Sequence, residues 1–357
     1  MRKCYGCLKT IKAKYPYCGS CQKNLFDGRK IKPLSFDKTE FYEIKSRMTR
    51  FSISGVQDKI SLGFSENKHD ELVPVEKNGR YILKPIPKDH EIAMNLEDIV
   101  ANEHLSMQIS QQVFEIKTAY NGLIEFSDGE LAYITKRFDY YTSSVDNSIQ
   151  KIDQEDFASV LSYTEDIQGE NYKYNASYEE CAEAIKRYIP TPIVIEDFYK
   201  RIVLNYLIGN ADAHLKNFSI ARYAGRDDYE LSPNYDLLYT GYHLKSEIGC
   251  MGLDLFKDCE TKSFGVMGYY TLEDFEEFAK LIGIPKKRLQ KIFASILSKT
   301  GKVHELIERS FLSENGKEAY RKRFDERLKY GLCYCVSGCE FESITQEIIK
   351  KHLNAKK

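Results

Sequence analysis

The chain has 357 residues, of which 42% are hydrophobic and 29% are charged, and its formal net charge is −1. This balance is typical of a folded protein, and the length predicts two lobes with an appendage. No apolar run approaches the roughly 20 residues of a membrane helix, and the N-terminus lacks the apolar stretch of a signal peptide. We therefore expect a cytoplasmic protein without a membrane partner.

The first segment in chain order, residues 1–28, contains two C-x-x-C pairs, Cys4 with Cys7 and Cys18 with Cys21, separated by ten residues. This spacing is typical of a structural zinc site with four thiolate ligands. Zinc binding contributes about 10–16 kcal/mol in small zinc-dependent domains, enough to order a segment with almost no core. Disulfides and free thiols are the alternatives. We call residues 1–28 the cysteine module.

Positive charge is concentrated at the same end of the chain. Residues 1–50 carry 13 Lys and Arg against 4 Asp and Glu. Such a basic segment suits a nucleic acid or an acidic partner, and it equally suits a solvated surface. The sequence leaves both interpretations open.

Two lobes are predicted after the module. Residues 29–140 contain short strands at 60–64, 72–75, 81–83 and 131–135 and one helix at 95–110, which predicts a β-rich lobe. Residues 141–357 are mainly helical, with helix starts predicted at Asp153 and Thr271 and a buried helix at 195–208. Cys333, Cys335 and Cys339 are interpreted as small buried residues. The fold class is α+β, with a cleft between a β-rich and a helical lobe.

The strongest chemical motif is the loop G-N-A-D-A-H-L-K-N at residues 209–217. Asp212 and Asn217 have the D-x-x-x-x-N spacing of a kinase catalytic loop. A carboxylate can orient an attacking hydroxyl and accept its proton, and an amide oxygen can bind magnesium. Asp236, in P-N-Y-D, is a candidate second magnesium ligand, and a hairpin of residues 218–220 and 229–231 would return it to Asn217. His214 could brace the loop.

The nucleotide side is predicted in the first lobe. Residues 52–59 open a strand, so backbone N–H groups near Gly55 could reach phosphate oxygens. Lys84 ends a later strand, as does the lysine that pairs with ATP phosphates in kinases, and Glu103 on the next helix could orient it. Each feature alone is common at protein surfaces. Their order along the chain is what favours a kinase.

The motifs S-I-S-G-V-Q-D-K, I-L-K-P, N-E-H, T-K-R-F-D, L-I-G-N-A-D-A-H-L-K-N-F and P-N-Y-D resemble the HipA family of toxin kinases over residues 50–240. The resemblance implies a two-lobed protein-kinase-like fold and an ATP- and Mg²⁺-dependent serine/threonine protein kinase that autophosphorylates at Ser52 or Ser54. It also implies a translation-related substrate such as an aminoacyl-tRNA synthetase, and a helix-turn-helix antitoxin through which any DNA contact would be indirect. The implied ATP contacts are Ser54, Gly55, Val56, Gln57, Lys59, Lys84, Lys136, Arg137, Phe138, His214 and Tyr235.

The chain departs from full-length HipA proteins because its phosphate loop is reached by Ser52. It is therefore more similar to the short HipT-type kinases, and the absent N-terminal subdomain could be a separate small protein. Because the cysteine module precedes every catalytic motif, we expect it to be dispensable for phosphoryl transfer and to affect partner choice. Two alternatives remain: a pseudokinase adaptor that binds nucleic acid or protein through its zinc knuckle, and a lipid or small-molecule kinase.

Overall fold

The computed structural model describes residues 1–12, 14–48, 57–88, 94–142, 148–244 and 251–333. Within these ranges the strands are β1 (Arg2–Lys3), β2 (Thr10–Ile11), β3 (Ile60–Phe64), β4 (Leu72–Pro74), β5 (Tyr81–Lys84), β6 (Asn121–Glu125), β7 (Leu131–Lys136), β8 (Tyr140–Thr142), β9 (Ile149–Lys151), β10 (Asp153–Asp156), β11 (Ser219–Arg222) and β12 (Glu230–Leu231). The helices are α1 (Gly19–Phe26), α2 (Lys38–Arg47), α3 (Ile99–Gln112), α4 (Phe157–Val160), α5 (Glu165–Gln168), α6 (Tyr178–Tyr188), α7 (Pro192–Ile208), α8 (Lys262–Met267), α9 (Leu272–Leu281), α10 (Lys286–Ser298), α11 (Thr300–Arg309) and α12 (Glu314–Leu332).

The first lobe is built on an antiparallel sheet with the strand order β4-β3-β5-β7-β6. Helix α3 packs against β6 and β7. Every residue of α3 from Val100 to Ser110 is buried, which is the pattern of a helix surrounded by protein rather than one with a solvent face. Lys84 ends strand β5 of this sheet, and Glu103 lies on α3.

The cysteine module is not a separate appendage. Leu25 and Phe26 belong to the same buried cluster as Leu62 and Tyr81 of the sheet. The backbone N–H of Leu123 on β6 donates to the carbonyl of Tyr5 at 2.9 Å. The module therefore completes the core of the first lobe, although it precedes every catalytic motif in the sequence.

The second lobe is organised around α7, which packs against α6 and α12. Pro192 occupies its first turn and Gly209 ends it with a φ of 71°, a left-handed conformation that glycine adopts without the steric cost of a side chain. The predicted helix at 195–208 is confirmed, and it begins at Pro192. Its last residue delivers the chain directly into the catalytic-loop motif.

Two helix starts were predicted in this lobe, and one is wrong. Thr271 and Asp274 form the expected capping box at the start of α9. Asp153 instead begins strand β10, which pairs with β11, and Asp156 caps the short helix α4 by accepting from the backbone N–H of Ser159. Pairing with a neighbouring strand overrode the local capping signal.

The predicted hairpin after the catalytic loop is confirmed. Ile220 of β11 lies opposite Leu231 of β12 in an antiparallel pair. The hairpin reverses the chain so that Asp236 returns to the cleft. In the part of the chain that the structure describes, no helix is both long and apolar enough to cross a membrane.

Candidate active site

A buried lysine joins the two lobes. Nζ of Lys84, at the end of β5, lies 2.7 Å from Oε1 of Glu103 on α3 and 2.6 Å from Oδ1 of Asp236. Lys84 and Glu103 are buried, whereas 44% of the Asp236 side chain is exposed to the cleft. Three residues separated by up to 152 positions thus form one charged cluster. Glu103 and Asp236 hold the Lys84 ammonium in place from both sides.

The cluster is electrostatically tuned. Burial would lower the pKa of Lys84, but Asp236 and Glu103 outweigh it and hold that pKa above its ordinary value. Burial raises the pKa of Glu103 to about 7, although Lys84 acts in the opposite direction. Loss of water also opposes ionisation of Asp236, yet Lys84 keeps the pKa of Asp236 below its ordinary value. The site therefore contains a cation and a carboxylate poised beside an open cleft.

Lys59, which precedes β3, supplies a second cation to the same region. Burial, followed by the like charge of Lys84, lowers the pKa of Lys59, and the carboxylates of Asp236 and Glu103 act against this. Among the described residues Lys59 has no ion-pair partner. An anionic ligand near Lys59 and Lys84 would relieve their mutual repulsion.

The catalytic loop is shaped by two amide side chains. Oδ1 of Asn210 accepts from the backbone N–H of Asp212 at 3.1 Å, and Nδ2 of Asn217 donates to the carbonyl of Asp212 at 2.7 Å. Asn217 ends a 3-10 turn at Leu215–Asn217 and is buried. The loop backbone is therefore fixed on both sides of Asp212. The Asn217 amide nitrogen is used in this bond, which leaves its oxygen to face a ligand.

The carboxylate of Asp212 is 52% exposed and has two aromatic neighbours. Oδ1 accepts a hydrogen bond from the hydroxyl of Tyr174, and it lies 3.7 Å from Nε2 of His214. Burial is the main reason why the pKa of His214 is lowered, with Asp212 acting in the opposite direction. Nδ1 of His214 is buried without a hydrogen-bond partner among the described residues. The ring of His214 therefore lies beside Asp212, and a bracing role for it stays a prediction.

Asp236 is aimed by its own backbone and by Tyr235. Its φ of 60° lies in the left-handed region, which a non-glycine residue occupies only when its surroundings impose it. The Tyr235 hydroxyl donates to the carbonyl of Lys216 at 2.8 Å and lies 2.6 Å from Oγ of Ser219. The ring of Phe138 packs 5.4 Å from that of Tyr235. Tyr235 therefore ties the segment of Asp236 to the catalytic loop.

Two predicted ATP contacts are not brought to this cluster. Lys136 lies opposite Tyr81 in the sheet, whereas Lys84 lies opposite Tyr133. Residues directly opposite each other share a face of the sheet and successive residues alternate between faces, so Lys136 and Lys84 point in opposite directions. Nζ of Lys136 lies 2.5 Å from Asp27 of the cysteine module.

Arg137 is also engaged elsewhere, because its guanidinium makes two hydrogen bonds to Asp139, at 2.9 and 2.6 Å. Gln57 is half-buried at the edge of the described residues, and its amide nitrogen has no hydrogen-bond partner among them. Ser52, Ser54, Gly55 and Val56 lie outside the described residues, as do Cys335 and Cys339.

The four N-terminal cysteines meet at one point. Their sulfur atoms all lie within 4.8 Å of one another, and Sγ of Cys7 and Cys18 are 3.7 Å apart. Tetrahedral zinc with Zn–S bonds of about 2.3 Å requires a spacing of about 3.8 Å. The Cys18 backbone N–H donates to Sγ of Cys4 at 3.2 Å, and a Cβ on Gly6 would lie 2.6 Å from Sγ of Cys21. The donor set and the tight turn fit a zinc ion.

One contact in the site was missed by sequence reasoning. Tyr174 reaches Asp212 from a 3-10 turn at Tyr172–Tyr174, 38 residues earlier in the chain. No motif or periodicity surrounds it, so no sequence signal would have singled it out. Its role is considered below.

Comparison with known proteins decides the family. The model of the HipA-like C-terminal domain matches residues 51–303, which include every residue of the cleft described above. The chain belongs to this family. A Haemophilus influenzae protein named as an inferred kinase is 28% identical over 350 residues, covering 92% of this chain and 97% of that protein. A Sinorhizobium fredii protein of similar name is 28% identical over 222 residues, covering 59% and 50%.

A solved structure supports the same fold for this HipA-like chain. A chain from the Shewanella oneidensis toxin–antitoxin complex of HipA, HipB and operator DNA superposes with a TM-score of 0.59 at 19% identity, covering 84% of this chain and 67% of that one. Likeness at this identity concerns the fold. The predicted α+β fold with a β-rich and a helical lobe and a zinc-ribbon-like N-terminal module is confirmed.

Proposed function

We propose that this HipA-like protein is an ATP- and Mg²⁺-dependent serine/threonine protein kinase that acts as the toxin of a toxin–antitoxin pair. The observation that carries the proposal is the junction of Lys84, Glu103 and Asp236 at the cleft that also holds Asp212 and Asn217. A structural lysine would need neither a half-exposed second carboxylate nor a neighbouring cation such as Lys59, which has no ion-pair partner among the described residues. Both features suit a phosphate-binding lysine, because the carboxylate can hold a metal and the second cation can bind the same phosphates.

The donor set fits magnesium and a nucleotide phosphate. Mg²⁺ prefers a few carboxylate or carbonyl oxygens together with water and phosphate, and Asp236 and the amide oxygen of Asn217 offer this chemistry. Lys84 and Lys59 supply positive charge for phosphate oxygens. When bound, Mg-ATP would supply the transferable phosphoryl group and the metal charge that stabilises its transfer.

Each residue of the site then has a defined role. Glu103 would hold Lys84 toward the nucleotide phosphates, and Asp236 would be a ligand of the magnesium ion. Asp212 orients the acceptor hydroxyl and takes its proton as the new oxygen–phosphorus bond forms and the bond to ADP breaks. The proton then passes to solvent from the exposed side of Asp212.

The biological part of the proposal follows from the family. We place the protein in the cytoplasm, with a translation-related protein such as an aminoacyl-tRNA synthetase as its substrate and a helix-turn-helix antitoxin as its partner. The solved relative was crystallised as a toxin–antitoxin complex with operator DNA, which supports a DNA contact made through the antitoxin. A small separate protein resembling the N-terminal subdomain of full-length HipA kinases is a further proposed partner. Ser52 and Ser54 are the proposed autophosphorylation sites.

The test is transfer from labelled ATP in the presence of Mg²⁺, with the protein itself and a cell lysate as acceptors and mass spectrometry of the products. We expect phosphoserine or phosphothreonine in wild type. Asp212→Asn and Asp236→Asn should each lose about 10²–10⁴ in rate. Asp228→Asn is the matched control, because this exposed carboxylate pairs with Arg226 outside the cleft.

Three further results separate the parts of the proposal. Lys84→Ala should chiefly weaken the use of ATP. Elemental analysis should find one zinc per chain. Near-normal transfer by Asp236→Asn in saturating Mg²⁺ would refute the mechanism, and phosphorylation of lipids without any protein product would refute the protein-kinase assignment.

A further inference from the structure

A short segment between α4 and α6 crosses the catalytic loop. We call residues 164–175 the strap. It contains α5 and the 3-10 turn at Tyr172–Tyr174, and it contacts the loop through two tyrosines. Nζ of Lys216 donates to the Tyr172 hydroxyl at 3.4 Å, and the Tyr174 hydroxyl donates to Asp212.

Tyr174 is held against two catalytic-loop residues at once. Its ring packs edge-on against that of His214, with centroids 5.0 Å apart and an interplanar angle of 74°. Its hydroxyl bonds to the one oxygen of Asp212 that also faces His214. Burial and then Asp212 raise the pKa of Tyr174, so at neutral pH the phenol keeps its proton and donates it to the carboxylate.

A phenol that donates to Asp212 reproduces what an acceptor must do. In a kinase the hydroxyl of a serine or threonine donates to this carboxylate before it attacks. We propose that Tyr174 occupies the acceptor-hydroxyl position at Asp212, so that a protein acceptor must displace the strap before phosphoryl transfer. This inference rests on the proposed kinase function and names the residue that controls access of the acceptor.

The strap is built to be displaced. No side chain of residues 164–175 is fully buried, and Ile167 is 73% exposed. Tyr172 is partly buried against the core. Two further hydrogen bonds lie within the strap. The backbone N–H of Thr164 donates to the side-chain oxygen of Gln168 at 2.7 Å, and the Asn175 side-chain amide donates to the Gln168 carbonyl at 3.2 Å. Segments with few buried contacts open at low free-energy cost. The strap can therefore move as a unit once its bonds to the loop are lost.

Displacement of the strap also changes the solvation of Asp212. The Asp212 side chain is 52% exposed even while its Oδ1 accepts from the Tyr174 hydroxyl. Removing the Tyr174 hydroxyl while keeping its ring abolishes the hydrogen bond that competes with an acceptor for Asp212, and it preserves the packing on His214. Tyr174→Phe makes this single change.

The experiment compares wild type, Tyr174→Phe and Tyr188→Phe. Tyr188 is a suitable control because it is partly exposed and its ring packs on Tyr229 rather than on the catalytic loop. The acceptors are a library of serine- and threonine-containing peptides and, in their absence, water. We expect Tyr174→Phe to raise kcat/KM for peptides, and the rate of ATP hydrolysis, by about 10- to 150-fold, the range for one hydrogen bond to a charged group.

A second readout is independent of activity. Hydrogen exchange of residues 164–175, measured without ATP, should become faster in Tyr174→Phe and stay at the wild-type rate in Tyr188→Phe. If wild type transfers phosphate to no acceptor, the proposed function fails and this readout still reports on the strap.

Three results would overturn the inference about Tyr174. A fall in kcat with unchanged KM in Tyr174→Phe would make Tyr174 a positioning residue for Asp212. Unchanged kinetics together with unchanged exchange would remove it from the acceptor position. Phosphotyrosine at position 174 in wild type would show that Tyr174 is a substrate of the site and not a substitute for one.

Discussion

The cysteine module contacts neighbours of Lys84 and Glu103, whereas the strap contacts Asp212 itself, and the two segments are held in opposite ways. The module places Leu25 and Phe26 in the core of the first lobe. It also contacts the second lobe, since Nζ of Lys3 donates to the carbonyl of Ser310 at 2.8 Å. The strap contributes no buried side chain and lies on the catalytic loop through hydrogen bonds of two tyrosines.

This difference gives the two segments different roles: the module supports the site, and the strap controls access of the acceptor. The module supports Lys84 and Glu103, because Tyr81 of the same strand donates to the carbonyl of Leu25 at 2.9 Å and His104, next to Glu103, bonds to the carbonyl of Gly6 at 2.8 Å. The strap contacts the catalytic loop on the acceptor side. Loss of the module should therefore abolish the site, and loss of the strap contact should open it.

The largest expected effect comes from the zinc ligands. Cys18→Ser should remove zinc, unfold the first lobe at physiological temperature and abolish phosphoryl transfer, because metal binding of about 10–16 kcal/mol rivals the whole stability of a domain. Zinc content, thermal unfolding and labelled transfer are the measurements. Cys259→Ser, at an exposed free cysteine, is the control. A zinc-free protein with wild-type activity would return the module to the status of a dispensable appendage.

A smaller effect should follow at the contact between the module and α3. His104→Ala leaves a cavity and an unpaired Gly6 carbonyl, which together cost about 2–4 kcal/mol, and it should lower activity by loosening Glu103. His69→Ala at an exposed position is the control. Urea unfolding and transfer rates check it. An equal loss in both variants would contradict a specific role of His104.

The pH dependence of stability tests the contribution of Glu103, which the module supports. The pKa of Glu103 rises from 4.5 to about 7 on folding. As the pH is raised, the unfolded chain therefore loses the Glu103 proton before the folded chain does. Stability contributed by Glu103 is present below pH 4.5 and declines by about 1–3 kcal/mol as the pH rises to 7. Glu103→Gln should flatten this part of the profile, and Glu97→Gln, exposed just before the same helix, should leave it intact. A steep decline that survives in Glu103→Gln would assign it to other groups.

The smallest effect compares one apolar residue from each segment. Ile167→Ala in the strap should change the free energy of unfolding by less than about 0.5 kcal/mol. Leu25→Ala in the module, where the side chain is buried, provides the reference and should cost about 2–5 kcal/mol. Denaturant unfolding measures both. A large loss in Ile167→Ala would mean that the strap belongs to the core.

The sequence predicted the parts of this protein that depend on local pattern and motif order. Glu103 was expected to orient Lys84, and the two form an ion pair. The contact of Lys84 with Asp236, which was expected beside Asn217, is an addition from the structure. The return of Asp236 by the hairpin of β11 and β12 was likewise expected. Each of these residues is marked by a recognisable neighbourhood, such as the loop that carries Asp212 and Asn217.

The remaining features depend on long-range contacts that have no local signal. The face on which Lys136 lies follows from the register of β5 against β7, and a shift of one residue would reverse it. The bond of Tyr174 to Asp212 joins an exposed turn to a loop 38 residues away. The burial of the module against the sheet depends on Leu25 and Phe26, whose apolar character fits a small independent domain equally well.

Helix α3 presents consecutive residues to two different sites, since Glu103 bonds to Lys84 and His104 to Gly6. Successive residues of an α-helix are about 100° apart around its axis, so rotating α3 would break both contacts together. Many switchable proteins turn or slide a helix between discrete arrangements. Here helix α3 is held by contacts on two sides. We therefore expect control of the enzyme to act on the segments around this helix.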